Sequence, residues 1–115
     1  MKRGEIRVVD LEPVRGSEAN KRRPAVIVSN DGANATAARL GRGVVAVVPM
    51  TTNLTRVYPF QVLLPAVVTG LTKDSKAQAE QIRAVSVEQV SQCIGVVPAA
   101  LLGEIDTALR LHLGL

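Results

Sequence analysis

Aromatic residues are almost absent from this chain of 115. Tyr58 and Phe60 are the whole set, 2% of the sequence, and there is no tryptophan. The stacked-base platforms that many single-strand nucleic-acid binders build from aromatic rings therefore cannot be assembled within one chain. Cysteine occurs once, at Cys93, which excludes an intrachain disulfide framework and a multi-cysteine metal site. As a lone thiol it reads as a small buried hydrophobe rather than a nucleophile. Histidine also occurs once. His112 cannot by itself supply a two-histidine acid–base pair or a multi-histidine metal site, and its place on an apolar helical stripe assigns it to packing. Glycine-rich phosphate loops, paired-aspartate metal motifs and nucleophile elbows are missing, so the conventional nucleotide and metal enzymes lack their residues and no cofactor is expected. The opening Met1-Lys2-Arg3-Gly4-Glu5 leads into charged residues rather than an apolar run, and no stretch has the length of a membrane span, which points to a cytoplasmic protein.

What is present is 47% hydrophobic, mostly Val, Leu and Ala, and 21% charged. That balance suits a compact, β-rich globule rather than a disordered tail. The length fits one domain, residues 1–115, able to bury about two-thirds of the surface its unfolded form exposes. The formal net charge is +4, and seven of the fourteen basic residues fall in the first twenty-three positions beside four acids, so an anionic partner is expected. The densest run, Lys21-Arg22-Arg23, meets Pro24. Proline has no N–H and drives the residue before it toward extended backbone, which places Arg23 at a strand entrance in a restricted conformation. A positioned guanidinium grips phosphate through several donors and a charge that does not titrate away. Taken on its own, the triplet is better explained as a solvated basic loop ending at a strand.

The hydrophobic pattern predicts a first strand from Ile6 to about Asp10, then a loop opened by Pro13 and carrying Gly16-Ser17-Glu18. A second strand is expected over 24–29, stopped by the polar run Asn30 to Asn34, with one or two helical turns over 33–40. Strand three should cover Val44 to Val48 and end at Pro49, which delivers Thr51-Thr52-Asn53 to a loop. A fourth strand is expected from Tyr58 to Leu64 and a further extended stretch from Lys76 to Val85. Ser86-Val87-Glu88-Gln89 has the spacing of a capping box, and Ile94 to Val97 reads as the last strand. After Pro98, Leu101, Leu102, Ile105, Ala108, Leu109 and His112 recur at helical spacing, so a terminal helix should lie against the sheet. The sum is a mainly β protein with helices (α+β), a small, partly closed barrel.

The polar residues left at strand edges are Glu18, Arg23, Thr51, Thr52, Glu80, Gln81 and Arg83. RNA is the polymer such a set could cut without metal, because its own 2′-hydroxyl can attack the neighbouring phosphate. A guanidinium can hold the charge that accumulates on phosphorus, a threonine hydroxyl can bond the phosphate, and a carboxylate can accept the proton. Each residue also has an ordinary explanation. Glu18 can pair with Lys21 or Arg22, Thr51 and Thr52 can bond nearby backbone in a turn, and Glu80 with Arg83 can be cross-strand surface charges.

Seven segments in order carry a resemblance that spans nearly the whole chain: Arg3-Gly4-Glu5-Ile6, Asp10-Leu11-Glu12-Pro13, Gly16-Ser17-Glu18, Arg23-Pro24-Ala25-Val26-Ile27-Val28, Val48-Pro49-Met50-Thr51-Thr52, Tyr58-Pro59-Phe60-Gln61-Val62 and Glu80-Gln81-Ile82-Arg83. Together they resemble the MazF/PemK/Kid family of toxin endoribonucleases from bacterial type II toxin–antitoxin systems. The resemblance implies an SH3-like, CcdB-like barrel acting as a homodimer. It also implies metal-independent, sequence-specific cleavage of single-stranded RNA to 2′,3′-cyclic phosphate and 5′-hydroxyl ends, an mRNA interferase activity that arrests growth. Arg23 matches the family arginine before proline and Thr51 the threonine after the third strand, and these two are the implied catalytic pair. Glu18 and Glu80 are implied candidates for proton transfer or RNA contact, with Gln81 and Arg83 nearby and Thr52, Lys21 and Arg22 as further candidates. The implied partner is an antitoxin with an acidic, partly disordered tail that covers the basic groove and folds on binding. Two positions depart from the family pattern. Arg7 stands where many relatives carry an aromatic residue, and Gln78 where Kid-like members carry an arginine. Two other readings keep the fold and drop catalysis: a CcdB-like gyrase poison that grips its target with the C-terminal helix, and an SH3-like binding module. The Arg-Pro and Pro-x-Thr segments favour the nuclease.

Overall fold

Runs of β-branched and small residues become strands here, and proline, glycine or asparagine stands at most changes of direction. The computed structural model describes residues 1–11 and 22–115. Its strands are β1 (Glu5–Asp10), β2 (Arg22–Ile27), β3 (Val44–Thr51), β4 (Gln61–Leu64), β5 (Ser75–Gln78), β6 (Arg83–Ser86) and β7 (Val90–Val96). The helices are α1 (Asp31–Leu40), α2 (Ala66–Thr69) and α3 (Ala99–Leu113). Every ladder is antiparallel, in the order β4-β5-β3-β2-β1-β7, and β6 also pairs with β3.

β3 is the hub. One edge pairs with β2, while the other is divided, Val44–Val47 against β6 and Met50–Thr51 against β5. The sequence pattern ends this strand at Val48, yet it continues through Pro49 to Thr51. Pro49 falls in the gap between the β6 and β5 ladders, where a strand tolerates a residue that cannot donate. Alternation along the strands then divides the core in two. On one face Ile6, Val26, Val48 and Met50 pack with Ile105 and Ala108 of α3. On the other, Val9, Ala25, Ile27, Val45 and Val47 pack with Ala37 of α1. Ile105 is fully buried, and burial of such a side chain contributes about 1.5–3 kcal/mol, enough to seat α3 against the sheet as its apolar spacing requires.

The polar run after β2 both stops the strand and starts a helix. The Asn30 side chain accepts from the Ala33 N–H at 2.8 Å, so α1 begins at Asp31, earlier than expected. Tyr58-Pro59-Phe60 form a turn, closed by the Gln61 N–H on the Tyr58 carbonyl at 2.8 Å, and β4 is shorter than its pattern suggests. The extended stretch over 76–85 is two strands separated by a single 3₁₀ turn, Ala79–Gln81. The capping box forms: Ser86 accepts from the Glu88 N–H at 3.3 Å and Gln89 from the Ser86 N–H at 2.8 Å. α2 is unannounced in the hydrophobic pattern, and β7 begins at Val90 rather than Ile94.

Two residue readings are corrected. Cys93 is exposed on β7, its thiol donating to the Gly95 carbonyl at 3.3 Å, because among the described residues β7 pairs with β1 alone. His112 is exposed in the last turn of α3, past the point where Ile105 and Ala108 meet the sheet. The sheet curls until β7 meets the end of α2. Gly95 lies so close to that turn that a Cβ would sit 2.6 Å from the Thr69 carbonyl oxygen. Arg3 ties the N-terminus down, its Nε donating to the Val28 carbonyl at 2.8 Å and its Nη2 pairing with Asp106 of α3. Among the described residues no helix is long and apolar enough to cross a membrane.

Candidate active site

The β2–β3 ladder ends on the pair Ala25 and Pro49, but both strands run on, and two residues further along the same register stand Arg23 and Thr51. Period-two alternation gives both side chains the face that Ala25 and Pro49 occupy. Beside them opens a cleft of about 200 Å³ lined by Arg23, Pro24, Met50, Thr51, Thr52 and Ser75. Arg23 lies inside β2 rather than at its entrance, opposite Val9 of β1 and half-buried. Arg23 lines the cleft, and among the described residues no hydrogen bond or ion pair engages its guanidinium. The Thr51 oxygen accepts from the Asn53 N–H at 3.2 Å, which leaves its own O–H to be given to a ligand.

The structure separates the other candidates. Thr52 is exposed and joins the cleft. Arg22, one residue from Arg23, takes the opposite face of β2 and donates from Nη2 to Ser91 Oγ at 3.0 Å. Glu80 sits on the 3₁₀ turn outside the cleft lining and accepts from Gln61 Nε2 at 2.6 Å, so it does not pair with Arg83. Arg83 stands opposite Val47 and donates to the Leu11 carbonyl at 3.4 Å, while Gln81 is exposed on the turn. Glu18 and Lys21 lie outside the described residues.

Both departures from the family pattern have defined surroundings. Arg7 is held between β1 and β7, bonded to Glu5 Oε1 at 2.8 Å and to the Ser91 carbonyl at 3.0 Å. Burial, the largest influence on the Glu5 carboxyl, pushes its pKa up, but the hydrogen bond and charge of Arg7, a backbone bond at Lys2 and the N-terminal charge outweigh it and hold the group below its ordinary 4.5. Gln78 pairs across the sheet with Gln61, and its buried Oε1 and that of Glu80 accept no hydrogen bond from the described residues.

Two buried polar residues of β5 escaped the sequence reading, and the first of them lines the cleft. Ser75 is 5% exposed and forms a wall, its hydroxyl 3.4 Å from the Lys73 carbonyl. Lys76 pairs with Thr51, is 7% exposed, and donates to the Arg56 carbonyl, anchoring the loop that follows Thr52. A buried lysine in a short strand has no sequence signature, since its burial depends on a carbonyl twenty residues away. The same loop stacks Tyr58 on Phe60, ring centroids 5.3 Å apart and nearly parallel, with the Arg56 guanidinium 6.0 Å from the Tyr58 ring. Among the described residues no cluster of three or more His, Cys, Asp or Glu could hold a metal.

A curled antiparallel sheet under a C-terminal helix, with an arginine and a threonine presented by neighbouring strands, defines a small α+β barrel whose open cleft is chemically fitted to an anion. Residues 2–113 match the family described as PemK-like, MazF-like toxin of type II toxin-antitoxin system, and the chain belongs to that family. It is 64% identical over 115 residues to Endoribonuclease MazF9 of Mycobacterium tuberculosis, covering 100% of this chain and 98% of that protein. Its fold superposes on that of an endoribonuclease solved in complex with its cognate antitoxin from a mycobacterial species, with a TM-score of 0.77, 28% identity, and 100% and 96% of the two chains covered. MazF from Deinococcus radiodurans superposes with a TM-score of 0.77 at 25% identity, covering 100% of this chain and 97% of that one.

Proposed function

We propose that this toxin is a metal-independent, sequence-specific endoribonuclease that cuts single-stranded RNA, leaving a 2′,3′-cyclic phosphate and a 5′-hydroxyl. The observation that carries the reading is the shared cleft, where a half-buried guanidinium free of partners among the described residues stands beside a hydroxyl with a proton to give. In the proposed reaction the 2′-hydroxyl oxygen attacks the adjacent phosphorus and gives up its proton, the bond to the 5′-oxygen breaks, and that oxygen takes a proton as it leaves. Arg23 donates to the phosphoryl oxygens as charge gathers on them, and Thr51 fixes the phosphate by donating its hydroxyl proton. Glu18, five residues before Arg23 in the chain, is proposed to accept the 2′-hydroxyl proton. Glu80 is the lesser candidate, because Gln61 holds its carboxylate outside the cleft lining. Arg83, Gln81, Arg22 and Lys21 are proposed RNA contacts rather than reacting groups.

The names of the 64% identical relative and of the solved neighbours support an endoribonuclease. The neighbour solved with its antitoxin supports a cognate antitoxin as partner, and a net charge of +4 suits an acidic one. The working form is proposed to be a homodimer in the cytoplasm, where messenger RNA is exposed.

The test is to incubate the purified protein with a long RNA in excess EDTA and map the cut ends. Arg23→Ala should slow cleavage about 100- to 1,000-fold, as loss of a phosphate-stabilising donor does elsewhere, while its thermal melt stays within a few degrees of the parent's. Thr51→Val should show a smaller loss. Undiminished cutting by folded Arg23→Ala, or intact RNA with the parent protein, sinks the assignment.

A further inference from the structure

Four neighbouring strands each place one residue in a single row across the sheet. Arg23 of β2 and Thr51 of β3 share a register, Thr51 pairs with Lys76 of β5, and Lys76 pairs with Leu63 of β4. Residues paired across a ladder share a face, so Lys76 stands beside Thr51 on the side away from Arg23. Lys76 is buried, and the chain that leaves β3 returns to it, the Arg56 carbonyl accepting from its Nζ. Two more bonds fix the path between. The Asn53 N–H donates to Thr51 Oγ1 and the Thr55 N–H to Asn53 Oδ1, each at 3.2 Å. Residues 51–56 thus form a loop that starts opposite the Lys76 backbone and closes on the ammonium of the same residue.

We infer that Lys76 is a positioning residue for the proposed cleavage, acting through this loop on the Thr51 hydroxyl, an inference that rests on the nuclease reading above. Lys76 is absent from the cleft lining, so it works without touching RNA. The ammonium holds Arg56, the preceding residue Thr55 holds Asn53, and the Asn53 N–H occupies the Thr51 oxygen as acceptor. That last bond turns the Thr51 proton away from the backbone and toward a phosphate in the cleft. With the ammonium gone, the far end of the chain of bonds is loose and the hydroxyl loses its fixed direction, which a reacting geometry does not tolerate. The burial itself points to such a use. Lysine is almost never fully buried without a counter-charge, and among the described residues no carboxylate pairs with Lys76. Taking an ammonium out of water for one carbonyl is unfavourable, and an apolar side chain of the same length would fill the space without that penalty. Packing gives no reason for a cation here, whereas fixing the loop beside Thr51 does.

Lys76→Met keeps the length of the side chain and removes the ammonium. Brief trypsin digestion of the folded proteins reads the loop directly, because Arg56 is exposed and followed by Val57. The variant should be cut after Arg56 about fivefold faster than the parent or more, seen by mass as the fragment 57–115, while its urea midpoint stays at or above the parent's. On an RNA that the parent cuts, kcat should fall about tenfold while KM changes by less than about twofold. Equal trypsin rates overturn the inference, as does a loosened loop with kcat unchanged. A raised KM at constant kcat also overturns it, by making Lys76 an RNA contact, and a urea midpoint that falls together with activity does so by making the ammonium a prop of the fold alone. A parent protein that cuts no RNA overturns the nuclease reading, and the positioning role falls with it, while the trypsin comparison still shows whether Lys76 holds the loop.

Discussion

Arg23 and Arg22 are adjacent, equally charged and differently employed. Alternation along β2 sends Arg22 to Ser91 and leaves Arg23 at the cleft, so the two arginines are not one patch but side chains on opposite faces. Glu5 and Arg7 show the same rule from the other side, two residues apart on β1 and therefore neighbours, joined by an ion pair of 2.8 Å with both side chains about one-fifth exposed. The Glu5 carboxyl is held below its ordinary 4.5, so this pair's contribution to stability is fully present above that value and is lost as pH falls through the lower, folded value. Glu5→Gln should consequently lower the urea midpoint at neutral pH and flatten its decline below about pH 4.5. Parallel acid profiles for parent and variant would show that the pair plays no such role.

Strand ends in this protein are set by neighbours more than by local preference. Proline at 49 would stop an isolated strand, but β3 is gripped on both sides by different partners and passes through it, carrying Thr51 into register with Arg23. Tyr58 to Phe60 have strand-forming residues and form a turn, because Gln61 bonds back onto the Tyr58 carbonyl. β7 depends on one small residue for its approach to α2. Gly95→Ala would put a methyl group 2.6 Å from the Thr69 carbonyl oxygen, a rigid backbone atom. A destabilisation of about 1–3 kcal/mol is expected from such overpacking, read as a fall in the urea midpoint. An unchanged midpoint would mean that the turn after α2 yields freely.

The whole molecule carries a net charge of +4, which suits the proposed anionic partners, and the proposed RNA contact therefore carries a salt signature. Each phosphate neutralised on a single strand contributes about −0.7 to the slope of log affinity against log salt, so three contacts around the cleft predict a slope of about −2. Titrating a fluorescent RNA against the Arg23→Ala protein over a range of salt should give a slope shallower by about one contact's worth. A parent affinity indifferent to salt would contradict phosphate recognition altogether. The order of hydrophobic runs, the capping box at Ser86 and the apolar spacing of α3 were legible because each is written within a few residues of itself. The arginine before Pro24 and the threonine after Pro49 were legible for the same reason, as local motifs. Their sharing of one cleft was decided only by the β2–β3 register, as were the burial of Lys76 beneath the Arg56 carbonyl, the exposure of Cys93 and the removal of Glu80 to Gln61. Those outcomes depend on which distant strand lies alongside, and pairing between segments far apart in the chain leaves no mark on either segment alone.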